Sequence, residues 1–377
     1  MPEPSILEHR LRAELSELEH AGLRRRLAPP SGIDLCSNDY LCLSRHPAVR
    51  DAMAQAAERE GCGSTGSRLL RGENQCFHSL ERRFAAFTGA ERALYFSSGY
   101  LANLAVLSTI PRPGDIIYSD ARNHASLIDG IRLSGAERRI FAHCDAAALS
   151  DALGEERAPG QKFIVTESLF SMDGDFAPLT EYDALCRATG AVLIVDEAHA
   201  VGIYGYRGSG LLEETGVAAV VSISTAGKAL GVSGGFVSGP EWAIEYLVQR
   251  ARPFIFSTAA PPPVAAALEA SLALVETEPW RRQQLRERAR HLRRRLGMTG
   301  ESHIVPIVLG ANERAVEMAD ALALQGFDAR AIRPPSVAPG TARLRVSVNV
   351  GLSEDTLDRF AAAVAALKET ECSVVCS

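Results

Sequence analysis

Ala191-Val192-Leu193-Ile194-Val195-Asp196-Glu197-Ala198-His199 decides the fold: a short unbroken apolar run, then a carboxylate, then an imidazole three residues on. A run this short and this uniformly apolar reads as a strand buried on both faces, as a parallel sheet requires. It delivers Asp196 to its carboxyl end, which is where open α/β sheets bind ligands.

Working outward, Ala93 to Phe96, Ile116 to Tyr118, Phe163 to Val165, Val220 to Ile223 and Gly235 to Val237 read the same way. Polar residues follow most of them directly: Ser97-Ser98-Gly99, Ser119-Asp120, Thr166-Glu167 and Ser224-Thr225. Helix-like stretches separate the runs from about residue 45 to 265, so βαβ units in one α/β domain are expected, with the polar strand ends lining one crevice.

The flanks read differently. Ile6 to Leu27 spaces Leu7, Leu11, Leu15, Leu18 and Leu23 helically and stops at Pro29-Pro30, which predicts a helical arm over 1–44. Residues 266–377 predict a smaller C-terminal α/β domain: helix over 266–296 broken at Pro279, strands at 303–309, 329–333 and 343–350, and helices at 314–324 and 354–368. Ser353 is the expected N-cap of the last helix, with Glu354 and Asp355 in its first turn. The arginines of 281–295 are read as the solvated faces of an amphipathic helix around Leu285, Ala289, Leu292 and Leu296.

The 377 residues suffice for two cores, and 46% apolar with 23% charged content is ordinary for a globular protein. A net charge of -6 argues against a nucleic-acid binder, whose affinity rests on a basic surface. No run approaches the length needed to span a bilayer, and the N-terminus lacks a signal peptide's apolar core. Eight cysteines with no CxxC pair and no metal-ligand spacing fit reduced thiols in a cytoplasmic protein and no metal site, Cys372 and Cys376 being read as incidental.

Gly61-Cys62-Gly63-Ser64-Thr65-Gly66 matches the dinucleotide fingerprint, but the residues before it, Ala52 to Glu60, read as helix. The fingerprint needs a strand there, so an oxidoreductase is not expected. The stronger constellation is Ser224-Thr225-Ala226-Gly227-Lys228, whose lysine lies among small residues just past a strand end. A Schiff-base lysine needs a partly desolvated place with room for a flat ring. Asp196 is then the carboxylate that pairs with the nitrogen of a pyridoxal ring, keeping it able to accept electrons. The turn Ser97-Ser98-Gly99-Tyr100 leads into a helix whose free amides and dipole suit a phosphate, with Thr225 adding a hydroxyl. Taken singly, Asp196 could cap a helix, His199 could be a core histidine and Lys228 could be surface charge; together they describe one cofactor site.

At these residues the chain resembles the α-oxoamine synthases, pyridoxal-phosphate enzymes with the fold of aspartate aminotransferase. The resemblance runs from about residue 6 to 368. It rests on 37–41, Gly63 to Arg68, Asp120 to Ser126, Ser168 to Gly174, Asp196 to His199 and Thr225 to Gly231. Cys42 and Ala226 depart from the usual pattern without removing a chemical group.

The resemblance implies a mostly parallel seven-stranded central sheet and a homodimer. It implies Lys228 as the Schiff-base residue, Asp196 on the ring nitrogen, His199 and Ser171 at the ring hydroxyl, and His124 stacked on the ring. The phosphate falls to Ser98, Gly99, Tyr100 and Thr225, with Ser257 and Thr258 reaching across from the partner. Arg345 and Asn38 are implied for the amino-acid carboxylate. The text Ala331 to Val337 and Gly340 to Arg345 is most similar to the branch that joins L-alanine to a pimeloyl thioester in biotin synthesis. The resemblance implies Arg333 as a substrate-binding residue, and the cluster Arg24-Arg25-Arg26 that closes the N-terminal helix coincides with basic residues that branch places near the acyl tail, which implies Arg24 there. The acyl carrier, coenzyme A or a carrier protein, stays open, as do glycine or serine as the amino acid and a plain aminotransferase.

Overall fold

The computed structural model describes residues 5–155 and 159–375, with side chains described as far as 369. Cys376 lies outside the described residues, and only the backbone of Cys372 is described. The chain forms two compact units. One comprises 1–37, 172–174 and 286–377; the other comprises 38–171 and 175–285.

The second unit is built on seven strands: β1 (Arg92–Phe96), β2 (Ile116–Asp120), β3 (Glu137–Phe141), β4 (Lys162–Glu167), β5 (Val192–Asp196), β6 (Val221–Thr225) and β7 (Gly235–Gly239). Their order in the sheet is β1-β7-β6-β5-β4-β2-β3. All ladders are parallel except those of β7, which runs antiparallel to β1 and β6. The inner strands are buried nearly throughout, as helix-covered parallel strands must be. Ile117, Val165, Ile194, Ile223 and Val237 pack in one cluster with Ala102, Val106, Leu127 and Ile244 of the covering helices.

β3 is not among the strands expected from the sequence. Glu137, Arg138 and Ile140 are exposed on this edge strand. Charge on an edge blocks pairing with another chain, and it also hides the apolar signature of a strand.

The helix Pro47–Glu60 precedes the fingerprint-like glycines, so the context that excluded a dinucleotide loop is present. A boundary at 265 would cut the helix Pro262–Thr277, which packs with Pro47–Glu60 and Gln75–Thr88 in the second unit.

In the first unit, Ile304–Gly310, Ala342–Ser347 and Ala331–Ile332 form an antiparallel sheet. Only Ala331–Ile332 of the expected 329–333 strand is paired. The N-terminal segment joins this unit through the parallel pairing of Ile33–Asp34 with Phe327–Asp328. Its helix ends at His20 rather than Leu27, because Gly22 turns left-handed at φ 63° and lets Leu23 N–H close back on the Leu18 carbonyl. Ser353 caps the last helix as expected, its Oγ accepting from Thr356 N at 3.1 Å.

The basic helix divides at its break as expected, into Pro262–Thr277 and Trp280–Arg295. Two of its arginines overturn the solvated-face reading. Arg282 is buried and donates to the carbonyls of Val275 and Tyr206, and buried Arg293 donates to those of Thr299, Ser302 and Ile304. Five guanidinium donors can satisfy several orphan carbonyls at once, which is what these positions require.

Candidate active site

Lys228 follows β6 in a tight turn closed by Ala226 N–H on Gly234 O at 2.9 Å and Gly231 N–H on Lys228 O at 2.8 Å. Ala226 and Ala229 are buried beside it, so the lysine stem is held without bulky neighbours. Its Nζ lies 2.8 Å from Nε2 of His199. On the far side of that ring, Nδ1 lies 2.7 Å from the Tyr40 hydroxyl, which donates to Asn38 Oδ1 at 2.9 Å. A tyrosine has one proton to give, so His199 Nδ1–H must donate to Tyr40, leaving Nε2 as the acceptor facing Lys228.

Asp196 ends β5 and is buried. Its Oδ1 accepts from Ala198 N at 2.8 Å, and its Oδ2 from Asn103 Nδ2 at 2.6 Å. The same amide donates to Ser126 Oγ at 2.8 Å, and Ser126 Oγ lies 2.7 Å from His124 Nδ1. Ser126 N–H also points at that nitrogen, 3.2 Å away. Nδ1 of His124 is therefore the acceptor and Nε2 carries the proton, the tautomer opposite to that of His199. Burial, followed by the Lys228 charge, lowers the His124 pKa against the pull of Asp196, which favours the neutral ring.

The phosphate end is a meeting of backbones. Ser98 caps the helix Gly99–Leu107, its Oγ accepting from Leu101 N at 3.1 Å, so its hydroxyl serves as a cap in this structure. A Cβ on Gly99 would come within 3.1 Å of Thr225 Cβ and Oγ1, and one on Gly235 within 2.7 Å of Gly99 Cα. Glycine at both positions lets β6, β7 and the helix N-terminus converge. Tyr100 instead gives its hydroxyl proton to Asp129, which raises the phenol pKa.

Buried Ser171 lies in the loop after β4, where Phe170 N–H closes on Asp175 O at 2.9 Å. Thr258 pairs with Ser67 in an isolated bridge, and Ala259 N–H bonds Gly66 O at 2.9 Å, so the Gly63 to Arg68 motif fixes the Ser257-Thr258 segment. Arg345, Arg333 and Arg24 belong to the first unit. Arg345 is buried and donates to Ser347 Oγ at 2.7 Å. Arg333 clasps the carbonyls of Gly22 and Arg24, and Arg24 pairs with Glu19 at 2.8 Å. Arg24 and Arg333 border a cavity of about 890 Å³ in that unit.

The arrangement thus gathers Asn38, His124, Asp196, His199 and Lys228 into two hydrogen-bonded lines. It fits pyridoxal phosphate in its donor chemistry: a lysine amine, a buried carboxylate for a ring nitrogen, an imidazole with an exposed face, and a glycine-lined helix N-terminus for a phosphate. Tyr40, Asn103 and Ser126 carry no role that the sequence alone shows, although Tyr40 lies in the 37–41 motif and Ser126 in the Asp120 to Ser126 motif. Asn103 sits within an apolar helix, and a buried asparagine there was the one available signal.

The family model for aminotransferase class I and II matches residues 30–364. The chain is 46% identical over 376 residues to an 8-amino-7-oxononanoate synthase of Anaeromyxobacter dehalogenans, covering 94% of each chain. Among solved structures, a serine palmitoyltransferase holding pyridoxal phosphate is similar at a TM-score of 0.90 and 30% identity, covering 97% of this chain and 99% of that one. The 8-amino-7-oxononanoate synthase of Francisella tularensis is similar at 0.78 and 29% identity, covering 91% and 99%.

Proposed function

The chain belongs to the class I and II aminotransferase family and, within it, to the α-oxoamine synthases; from that premise we propose that it condenses L-alanine with a pimeloyl thioester, with loss of carbon dioxide, giving 8-amino-7-oxononanoate for biotin synthesis. The observation that carries the reading is Lys228 on His199 with Asp196 at the neighbouring strand end.

Pyridoxal phosphate is the cofactor; bound, it supplies an electron sink for the charge left when alanine loses its Cα proton. Lys228 anchors it and takes that proton. Asp196 keeps a proton on the ring nitrogen, and Asn103 fixes the carboxylate for the task. His199 and Ser171 serve the ring hydroxyl. His124 would stack on the ring and orient the thioester carbonyl, its tautomer set by Ser126. Ser98, Gly99, Tyr100 and Thr225 hold the phosphate, with Ser257 and Thr258 supplied across a homodimer interface in the cytoplasm. Arg345 and Asn38 take the alanine carboxylate, while Arg333 and Arg24 face the far carboxyl of the acyl chain. The new bond joins alanine Cα to the thioester carbonyl carbon; the thiol and carbon dioxide leave, and a proton returns to Cα.

The test is turnover of purified holoenzyme with alanine, glycine or serine against pimeloyl and octanoyl thioesters, reading the amino ketone. Alanine with pimeloyl should be fastest. Faster turnover with glycine, or with the plain octanoyl chain, would move the chain to another branch of the family.

A further inference from the structure

Glu167 ends β4, one strand over from Asp196, and the two are register partners in parallel strands. Partners in register point to the same face, and neighbouring strands lie about 4.8 Å apart, so the two carboxyl groups are close neighbours. Glu167 is 3% exposed, and its Oε1 has no hydrogen-bond partner among the described residues. Its own N–H is held by Asn123 Oδ1 at 3.2 Å, and the Asn123 amide is fixed on Val165 O at 2.7 Å. The carboxyl faces the backbone N–H groups of His124 and Ser171. Those are the two residues assigned to the ring face and the ring hydroxyl, and they lie on different loops, after β2 and after β4.

We propose that Glu167 is a positioning residue: from the strand beside Asp196, its buried carboxyl group anchors the loops of His124 and Ser171 and stands as the immediate neighbour of the Asp196 carboxylate. This rests on the reading that Asp196 meets the cofactor ring.

The surrounding charges agree. Burial, then the Asp196 charge, pushes Glu167 up to about 8, against Lys228 and the two backbone N–H groups, which favour its anion. Asp196 from β5 and Lys228 from the turn after β6 are the charges that act on it, and His124, in the turn after β2, meets it through its backbone N–H. Two carboxylates this close in a buried place cannot both ionise without cost; Asp196 accepts from two donors, while Glu167 Oε1 has none among the described residues.

The test uses two readouts that need the cofactor but no substrate: its dissociation constant, by titration of apoprotein, and the pH midpoint of its visible absorbance when bound. Glu167→Ala should weaken cofactor binding by about tenfold or more, and Glu167→Gln, which keeps the shape and a polar group, should recover most of that loss. Glu167→Gln cannot become an anion at high pH, so the absorbance midpoint should fall by about half a unit or more, a change a purely structural residue would not cause. Wild-type affinity in Glu167→Ala, or an unmoved midpoint in Glu167→Gln, would overturn the proposal. If Glu167→Ala does not fold, the Glu167→Gln midpoint alone decides. Neither readout involves alanine or a thioester, so an error in the substrate assignment would leave this test intact. Asp196→Asn with a normal midpoint would fault the reading of Asp196 instead.

Discussion

The duties proposed for Lys228 and Asp196 are separable, and substitution should separate them. Lys228→Ala should abolish the visible absorbance of the covalently held cofactor near neutral pH, since Lys162 and Lys368, the other lysines, are not placed among small residues at a strand end. An unchanged band that borohydride still reduces would refute the assignment. Asp196→Asn should keep the cofactor bound, because the amide oxygen still accepts from Ala198 N–H and Asn103 can turn its Oδ1, unpartnered among the described residues, toward the new NH2, but slow exchange of the alanine α-proton about 100-fold, in the range for losing one acid–base group. Exchange at the wild-type rate would remove Asp196 from the ring nitrogen. These residues were legible because lysine, aspartate and histidine at strand ends are costly to bury without a purpose. Asn103 and Tyr40 were not, since only the folded chain brings them to Asp196 and His199.

At the scale of elements, the site depends on loops, and His143 ties two of them. Its Nδ1 lies 2.8 Å from Asp120 at the end of β2, and its Nε2 lies 2.7 Å from Asp175 in the loop that carries Ser171. Asp120 also holds the turn toward His124 by accepting from Arg122 N at 2.8 Å. Burial opposes a charge on His143, but the two carboxylates outweigh it and hold the imidazole up to about 11, while Asp175 is lowered in return. A pKa raised on folding stabilises fully below the ordinary imidazole value near 6.5, and the effect drains away as pH rises from there to about 11. His143→Gln should therefore melt several degrees lower at pH 6, with the gap to wild type closing through that window. Parallel melting curves from pH 6 to 10 would show that the imidazolium is not what joins the loops. Sequence periodicity found the strands that carry these loops but not β3, whose end places His143, because an exposed charged edge has no apolar run to read.

At the scale of the whole molecule, the proposed homodimer makes a prediction no single chain can. If Lys228 of one subunit shares a site with Ser257 and Thr258 of the other, Lys228→Ala and the double variant Ser257→Ala with Thr258→Ala should complement when unfolded and refolded together. Random pairing makes half the dimers mixed, and one of two sites in each is intact, so about a quarter of wild-type activity should return. Activity no higher than the mean of the separate variants would place those residues within their own subunit.

The sequence by itself determined the βαβ text, the strand ends that bear Asp196, Thr225 and Glu167, and the lysine among small residues. These depend on local periodicity and on the price of burying charge, both written in neighbouring residues. Only the tertiary structure decided that the N-terminal segment pairs with residues 327–328, that the first helix stops at Gly22, and that Arg282 and Arg293 are buried donors. It alone set the opposite tautomers of His124 and His199 and put Glu167 beside Asp196. Each of these depends on partners far apart in the chain, and a hydrogen bond or a strand register exists only once folding has brought both sides together.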